Sequence, residues 1–213
     1  MALTTQFLNL TMESQFAMPV AFRQANATKI AYRFLEKFAG YGLRSSAITQ
    51  DVGDALFNYG VIIQLFNGSA NFALRAEKFT ANFQNLRTDE DLNIVFDCLV
   101  KSHESLFDRK IVANDLQAHI HAVFPQEGER EKFLARYAQP DKGIQSAGLV
   151  VYGRSDPWQR EIRLQVERSN LFPTGLFVSL QTAHEGLISR HIIDDISKAC
   201  GTLLEKTGLT FTK

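Results

Sequence analysis

The chain is short of the features that usually announce a chemistry. It holds 2 cysteines, Cys98 and Cys200, in 213 residues, and no CxxC pair. Two thiols so far apart make neither a disulfide framework nor a thiolate metal site, so they read as small core residues in a reducing compartment. Charge of one sign is missing as well: Lys+Arg and Asp+Glu both total 23, a formal net charge of zero. A protein held to nucleic acid by phosphate contacts alone usually carries a basic surplus. No stretch is apolar enough for a membrane span. The longest uncharged run, residues 55–74, includes Asn58, Gln64, Asn67 and Asn71, which a lipid-spanning helix would not carry so densely. Residues 1–16 lack the positive segment and continuous apolar run of a signal peptide. These absences lead to the expectation of a cytoplasmic protein without membrane association. No GxSxG, Walker loop or HExxH occurs, and the glycine pair in GYGLRSS (40–46) follows a helical pattern where a phosphate loop would follow a strand.

What the chain has in excess is phenylalanine: 17 copies, against 5 tyrosines and 1 tryptophan. Phe carries much apolar area and no hydrogen-bonding group, so the bias points to a core or an apolar cavity wall.

The strongest pattern lies in residues 60–107. GVIIQLFNGSANFALRAEKFTANF reads as three short strands, with Asn67-Gly68 as a hairpin turn whose central residues need positive φ. Phe72, Leu74 and Ala76 alternate with Ala73, Arg75 and Glu77, giving one apolar and one wetter face. Thr88 with Asp91 resembles a helix N-cap with an acid in the first turn. Leu92, Val95, Phe96, Leu99, His103 and Leu106 then follow helical spacing.

The same order is written twice. Before residue 60, MESQFAMPVAF (12–22) reads as a strand with an edge proline at Pro19, and KIAYRFLEKFAG as a helix with Ile30, Phe34, Leu35 and Phe38 on one side. Residues 43–59 read as an extended connection. From residue 115, DLQAHIHAVFP reads as a strand and EGEREKFLARYAQP as a helix ending before Pro140. Strands follow from Gly148, and Ile188, Ile192, Ile196, Ala199, Cys200 and Leu203 stripe a closing helix. The expectation is an α+β fold in one domain over 1–213. Two tandem β-α-β-β-β-α halves, 12–107 and 109–207, would be related by a pseudo-twofold axis and form a mostly antiparallel, curved sheet backed by helices.

Around LRAEKFTANFQNL (74–86), with its aromatic-x-x-Asn-aromatic step Phe79-Thr80-Ala81-Asn82-Phe83, the chain resembles an uncharacterised, sporadically distributed bacterial family. The likeness continues through DLQAHIHAVF (115–124) and the C-terminal helix, over about residues 60–210. It implies the fold above and an accessory role in a multi-protein system, such as defence or toxin control. It implies no activity.

Few residues suggest a site. His119 and His121, two apart on a strand, share one face with Asp115 nearby, which makes them the only metal-ligand candidates; no third ligand follows at a recognisable spacing, so neither a metal nor another cofactor is expected. The acid pairs Glu90-Asp91 and Asp194-Asp195 sit on helices, where neighbours diverge by about 100°. Arg154, Trp158, Arg160, Arg163 and Arg168 crowd one hairpin, where arginines beside an indole can receive a phosphate, a carboxylate or a stacked base. Glu161 and Glu167 in the same strand would instead be their cross-strand partners. The main functional expectation is therefore a non-catalytic protein-interaction module that binds a protein partner or a second copy of itself. The alternative is a small-ligand or nucleic-acid binder using the 154–168 hairpin.

Overall fold

A computed structural model of the chain describes residues 2–19, 24–52, 59–106, 110–137, 148–155 and 160–212. The elements run β1 (Ala2–Phe16), α1 (Gln24–Lys37), β2 (Ile48–Val52), β3 (Tyr59–Leu65), β4 (Ala70–Leu74), β5 (Lys78–Leu86), α2 (Asp89–Ser105), β6 (Ile111–Val123), α3 (Glu129–Leu134), β7 (Leu149–Ser155), β8 (Arg160–Arg168), β9 (Gly175–His184), α4 (Arg190–Lys206) and β10 (Thr210–Thr212). Among the described residues these strands make one ten-stranded sheet, ordered β2-β3-β4-β5-β1-β6-β9-β8-β7, with β10 added on β1. Every pairing is antiparallel except β1 with β10. The fold is thus α+β with a mostly antiparallel sheet, as the alternation of strands and helices leads one to expect. The centre is the β1–β6 ladder, running from Thr4 opposite Val123 to Phe16 opposite Ile111.

Period-two alternation turns one row of side chains under the helices and the other row away from them. In β5, Phe79, Ala81 and Phe83 are buried while Lys78, Thr80 and Asn82 are not. Phe34 of α1 and Phe38 just past its end stack at 5.5 Å and meet Phe72 at 6.1 and 5.4 Å, so the phenylalanine surplus fills core in this half. Burying each such ring contributes roughly 1.5–3 kcal/mol. The apolar interior forms two clusters. One gathers β3–β5 under α1 and α2; the other gathers β8 and β9 under α3 and the end of α4. In β7, a Cβ on Gly153 would lie 2.9 Å from Leu203 Cδ1, so the missing side chain lets α4 sit directly on that strand.

Several local expectations need correction. The first strand begins at Ala2 rather than residue 12, and Pro19 lies beyond its end. β1 is bonded on both sides, and proline cannot donate to a central ladder, so the strand stops before it. Residues 48–52 of the supposed connection are strand β2, paired with β3. The Asn67-Gly68 hairpin exists, but its loop is Phe66–Ser69: Leu65 faces Ala70, and Phe66, Asn67 and Gly68 have φ of 53°, 54° and 89°. The N-cap at Thr88 is a full capping box, with Asp91 N–H donating to Thr88 Oγ1 at 3.0 Å and Thr88 N–H donating to Asp91 at 2.9 Å.

Candidate nucleic-acid interface

All the described helices pack on one face of the sheet, and the opposite face carries none. That face is an array of aligned rows, because each strand contributes every second residue. One row crosses Tyr152, Arg163, Gln181, Gln117, Thr11, Asn82, Asn71 and Gln64, on eight successive strands. The next brings together Val150, Gln165, Ser179, His119 and Asn9, and the one beyond it Glu167, Phe177, His121 and Phe7. The face is therefore built mostly from rings, amides and hydroxyls, with Arg163, Glu167 and Val150 among them.

The rings form a connected patch at the centre. Phe7 lies 4.8 Å from His121, His121 lies 5.1 Å from Phe177, and Phe177 lies 5.4 Å from His119, centroid to centroid. Phe172, from the loop between β8 and β9, approaches both Phe7 and His121 at 6.2 Å. Each ring of the strands is half-buried, so part of its surface is open to a ligand. Burial, and then the neighbouring His119, hold the His121 imidazole below its ordinary pKa, so it presents a neutral aromatic ring at pH 7. Its Nδ1 lies 3.0 Å from Ser169 Oγ, whose oxygen also accepts from the Leu171 and Phe172 amides. That set of bonds fixes the loop beside the patch.

Toward the other end of the same strands lies a depression of about 430 Å³, bounded by Glu13, Asp115, Glu161, Arg163 and Gln181. Gln181 Nε2 donates to both Asp115 oxygens at 3.2 and 3.3 Å, and Arg163 donates to Gln165 at 2.9 Å. Glu13 pairs with Lys78 Nζ at 2.7 Å, which leaves Asp115 and Glu161 as the carboxylates suited to amino groups, with Arg163 at the edge nearer the rings.

The predicted arginine hairpin is not one cluster. Arg163 and Arg154 are exposed on the open face, Arg163 opposite Tyr152 and Arg154 opposite Glu161. Arg168 stands in the row that faces the helices, 3.8 Å from Glu131. An odd separation along a strand sends two side chains to opposite faces, which divides the set. Trp158 lies outside the described residues, and Arg160 is described only as backbone at the start of β8. His119 and His121 do share a face, with Asp115 in the same column. Among the described residues, however, no group of three or more His, Cys, Asp or Glu is placed to hold a metal. The acid pairs diverge on their helices: Asp91 caps α2, Asp194 accepts from Arg190 at 3.0 Å, and Asp195 meets His191 at 3.4 Å.

One arrangement resembles catalytic machinery and was invisible in sequence, because its members are 89 residues apart. Ser14 Oγ lies 3.1 Å from His103 Nε2. The Ile188 N–H donates to His103 Nδ1 at 3.0 Å, so the ring proton sits on Nε2 and is donated to the serine. That tautomer cannot take a proton from the hydroxyl. Both residues are almost wholly buried, and burial pushes His103 down to about 4, with His184 adding to the effect. The pair is a structural clamp.

No protein-family model matches the chain, and no curated protein matches it. Among solved structures, the chain is similar to a rolling circle replication initiator protein from Geobacillus stearothermophilus. The match has a TM-score of 0.38 and 8% identity, and covers 95% of this chain and 84% of that one. The expectation of a non-catalytic protein-interaction module is corrected: the open face carries rings, amides, hydroxyls and a guanidinium, groups that the alternative ligand- or nucleic-acid-binding expectation calls for. Of the large exposed apolar side chains, Met18, Phe66, Val112 and Leu171 lie on separate turns and strands, while Val150 and Tyr152 neighbour each other on β7. No described helix is long and apolar enough to cross a membrane.

Proposed function

We propose that the chain binds single-stranded nucleic acid on the open face of its sheet, bases toward the protein. The observation that carries this reading is the ring patch of Phe7, His119, His121 and Phe177 beside the row of amides and Arg163. Bases stack on such rings whatever their identity, at about 1–3 kcal/mol per base. Planar amides alongside can bond base edges. The carboxylates of Asp115 and Glu161 lie at the far end of the strands, and would accept from exocyclic amino groups rather than from the backbone. Arg163, from the hairpin singled out in the sequence and one row nearer the rings, supplies the phosphate contact, while Arg154 stands opposite Glu161 in the carboxylate row.

Two tandem halves also fit this reading. Outward from the β1–β6 ladder the order β5, β4, β3 on one side is matched by β9, β8, β7 on the other, with α1 and α2 answered by α3 and α4. A duplicated unit of this kind would make one long continuous face. The first half carries β2 in addition.

Fluorescence anisotropy with labelled single-stranded DNA and RNA oligonucleotides at low salt tests the proposal. Phe177→Ala and His121→Ala are expected to weaken binding about five- to hundredfold each while the protein stays folded. Absence of binding by the folded protein to either polymer, or affinity unchanged in both variants, would overturn it.

A further inference from the structure

A second site lies on the opposite side of the sheet, where the two apolar clusters fail to merge. Leu8 and Cys200 are the partly buried apolar residues that touch both clusters. Between the clusters is a groove of about 470 Å³, floored by β1, β6 and β9, walled by Phe96 of α2 and Ile196 of α4, and closed at one end by Phe211 of β10. This volume falls in the range of small-molecule pockets, about 300–1,000 Å³.

The groove is held open by composition as well as by geometry. Gly201 lines it from within α4, in ordinary helical backbone. A Cβ built there meets nothing within 4 Å, in contrast to Gly153 on the facing side of the sheet, where the space is taken. After proline, glycine is the poorest helix former, and here neither a turn nor a close contact requires it. What its missing side chain preserves is empty space in the groove.

The lining chooses the occupant. Its charged side chains are Arg87 and Glu205, one of each sign and both exposed at the rim. Inside, the polar contribution comes from hydroxyls such as Thr5 and Thr182, with exposed Ser197 at the rim. An ion taken into such a lining would lose its hydration without a partner, whereas a hydroxyl or carbonyl would find one. We infer that this groove binds a neutral, lipid-like small molecule with an apolar body and one or two hydroxyl or carbonyl groups, and that Gly201 is the residue that leaves room for it.

The test is a titration of the full chain with the neutral dye N-phenyl-1-naphthylamine. A saturable, one-to-one rise in fluorescence is expected. Gly201→Phe should weaken it at least tenfold while melting at or above the parent temperature, and Gly201→Ala should bind within about twofold of the parent. The anionic analogue anilinonaphthalene sulfonate should bind at least tenfold more weakly. Should Gly201→Phe fail to fold, Cys200 decides, because it lines the groove. Saturating dye should slow its alkylation by N-ethylmaleimide several-fold. No saturable binding, undiminished binding by folded Gly201→Phe, an unchanged alkylation rate, or equal affinity for the anionic dye each overturns the inference.

Discussion

At His103 the hydrogen bonds decide the charge state, since a protonated ring would turn an N–H toward the Ile188 N–H that now donates to it. The folded pKa of about 4 lies below the ordinary 6.5, so the unfolded chain binds the proton more readily. Stability from this residue is therefore complete above pH 6.5 and falls as pH drops toward 4, by up to about 3 kcal/mol. Denaturant titrations across that window should show the loss, and His103→Gln should flatten it; a pH-independent parent would contradict the clamp. The cysteines separate at the same scale. Burial pushes Cys98 up to about 12 and Cys200 up to about 11, yet Cys98 is fully buried while Cys200 lines the groove. Alkylation of the native protein should reach Cys200 first, slowly, as mass mapping would reveal. Sequence spacing assigned both to helices but could not separate them, because exposure depends on what packs opposite.

Among the elements, α2 was the most legible. Thr88 and Asp91 stand at the spacing of a capping box, and backbone amides at Arg87 and Thr88 hold the Asp91 carboxyl below its usual range. Thr88→Ala should cost about 1 kcal/mol, measured as a lowered denaturant midpoint. In α1, Phe34 touches Phe38, Phe72 and Phe79, so Phe34→Ala should cost about 3–5 kcal/mol. The alternation in β4 and β5 was equally plain, since an apolar residue at every second place can only be a half-covered strand. β1 was the element misread. Its first ten residues mix Thr, Gln and Asn with Phe and Leu around a bulge between Thr5 and Phe7, which breaks the period that a sequence pattern needs. Phe7 of the ring patch was lost with it.

For the molecule as a whole, the β1–β6 ladder joins what would otherwise be two sheets. A fragment ending at residue 106 would expose the β1 edge from Thr4 to Phe16, and should dimerise or aggregate. Size-exclusion chromatography of the fragment checks this; a folded monomer would contradict it. Balanced charge sets the character of nucleic-acid binding too. With Arg163 as the phosphate contact, log K against log salt should have a slope of about −0.7, which Arg163→Ala should largely abolish. A steep slope would move the binding surface elsewhere.

Read alone, the chain determined its helices, its strands from β3 to β5 and β6 to β9, many apolar core positions and its α+β class, because hydrophobic periodicity and capping are local and each residue carries them with it. The order of strands and the partition of arginines between faces came from tertiary structure. So did the Ser14–His103 clamp, the ring patch shared by β1, β6 and β9, and the groove beside Gly201. Each of these joins residues far apart in sequence, and long-range pairing is decided by which surfaces bury one another rather than by any spacing along the chain.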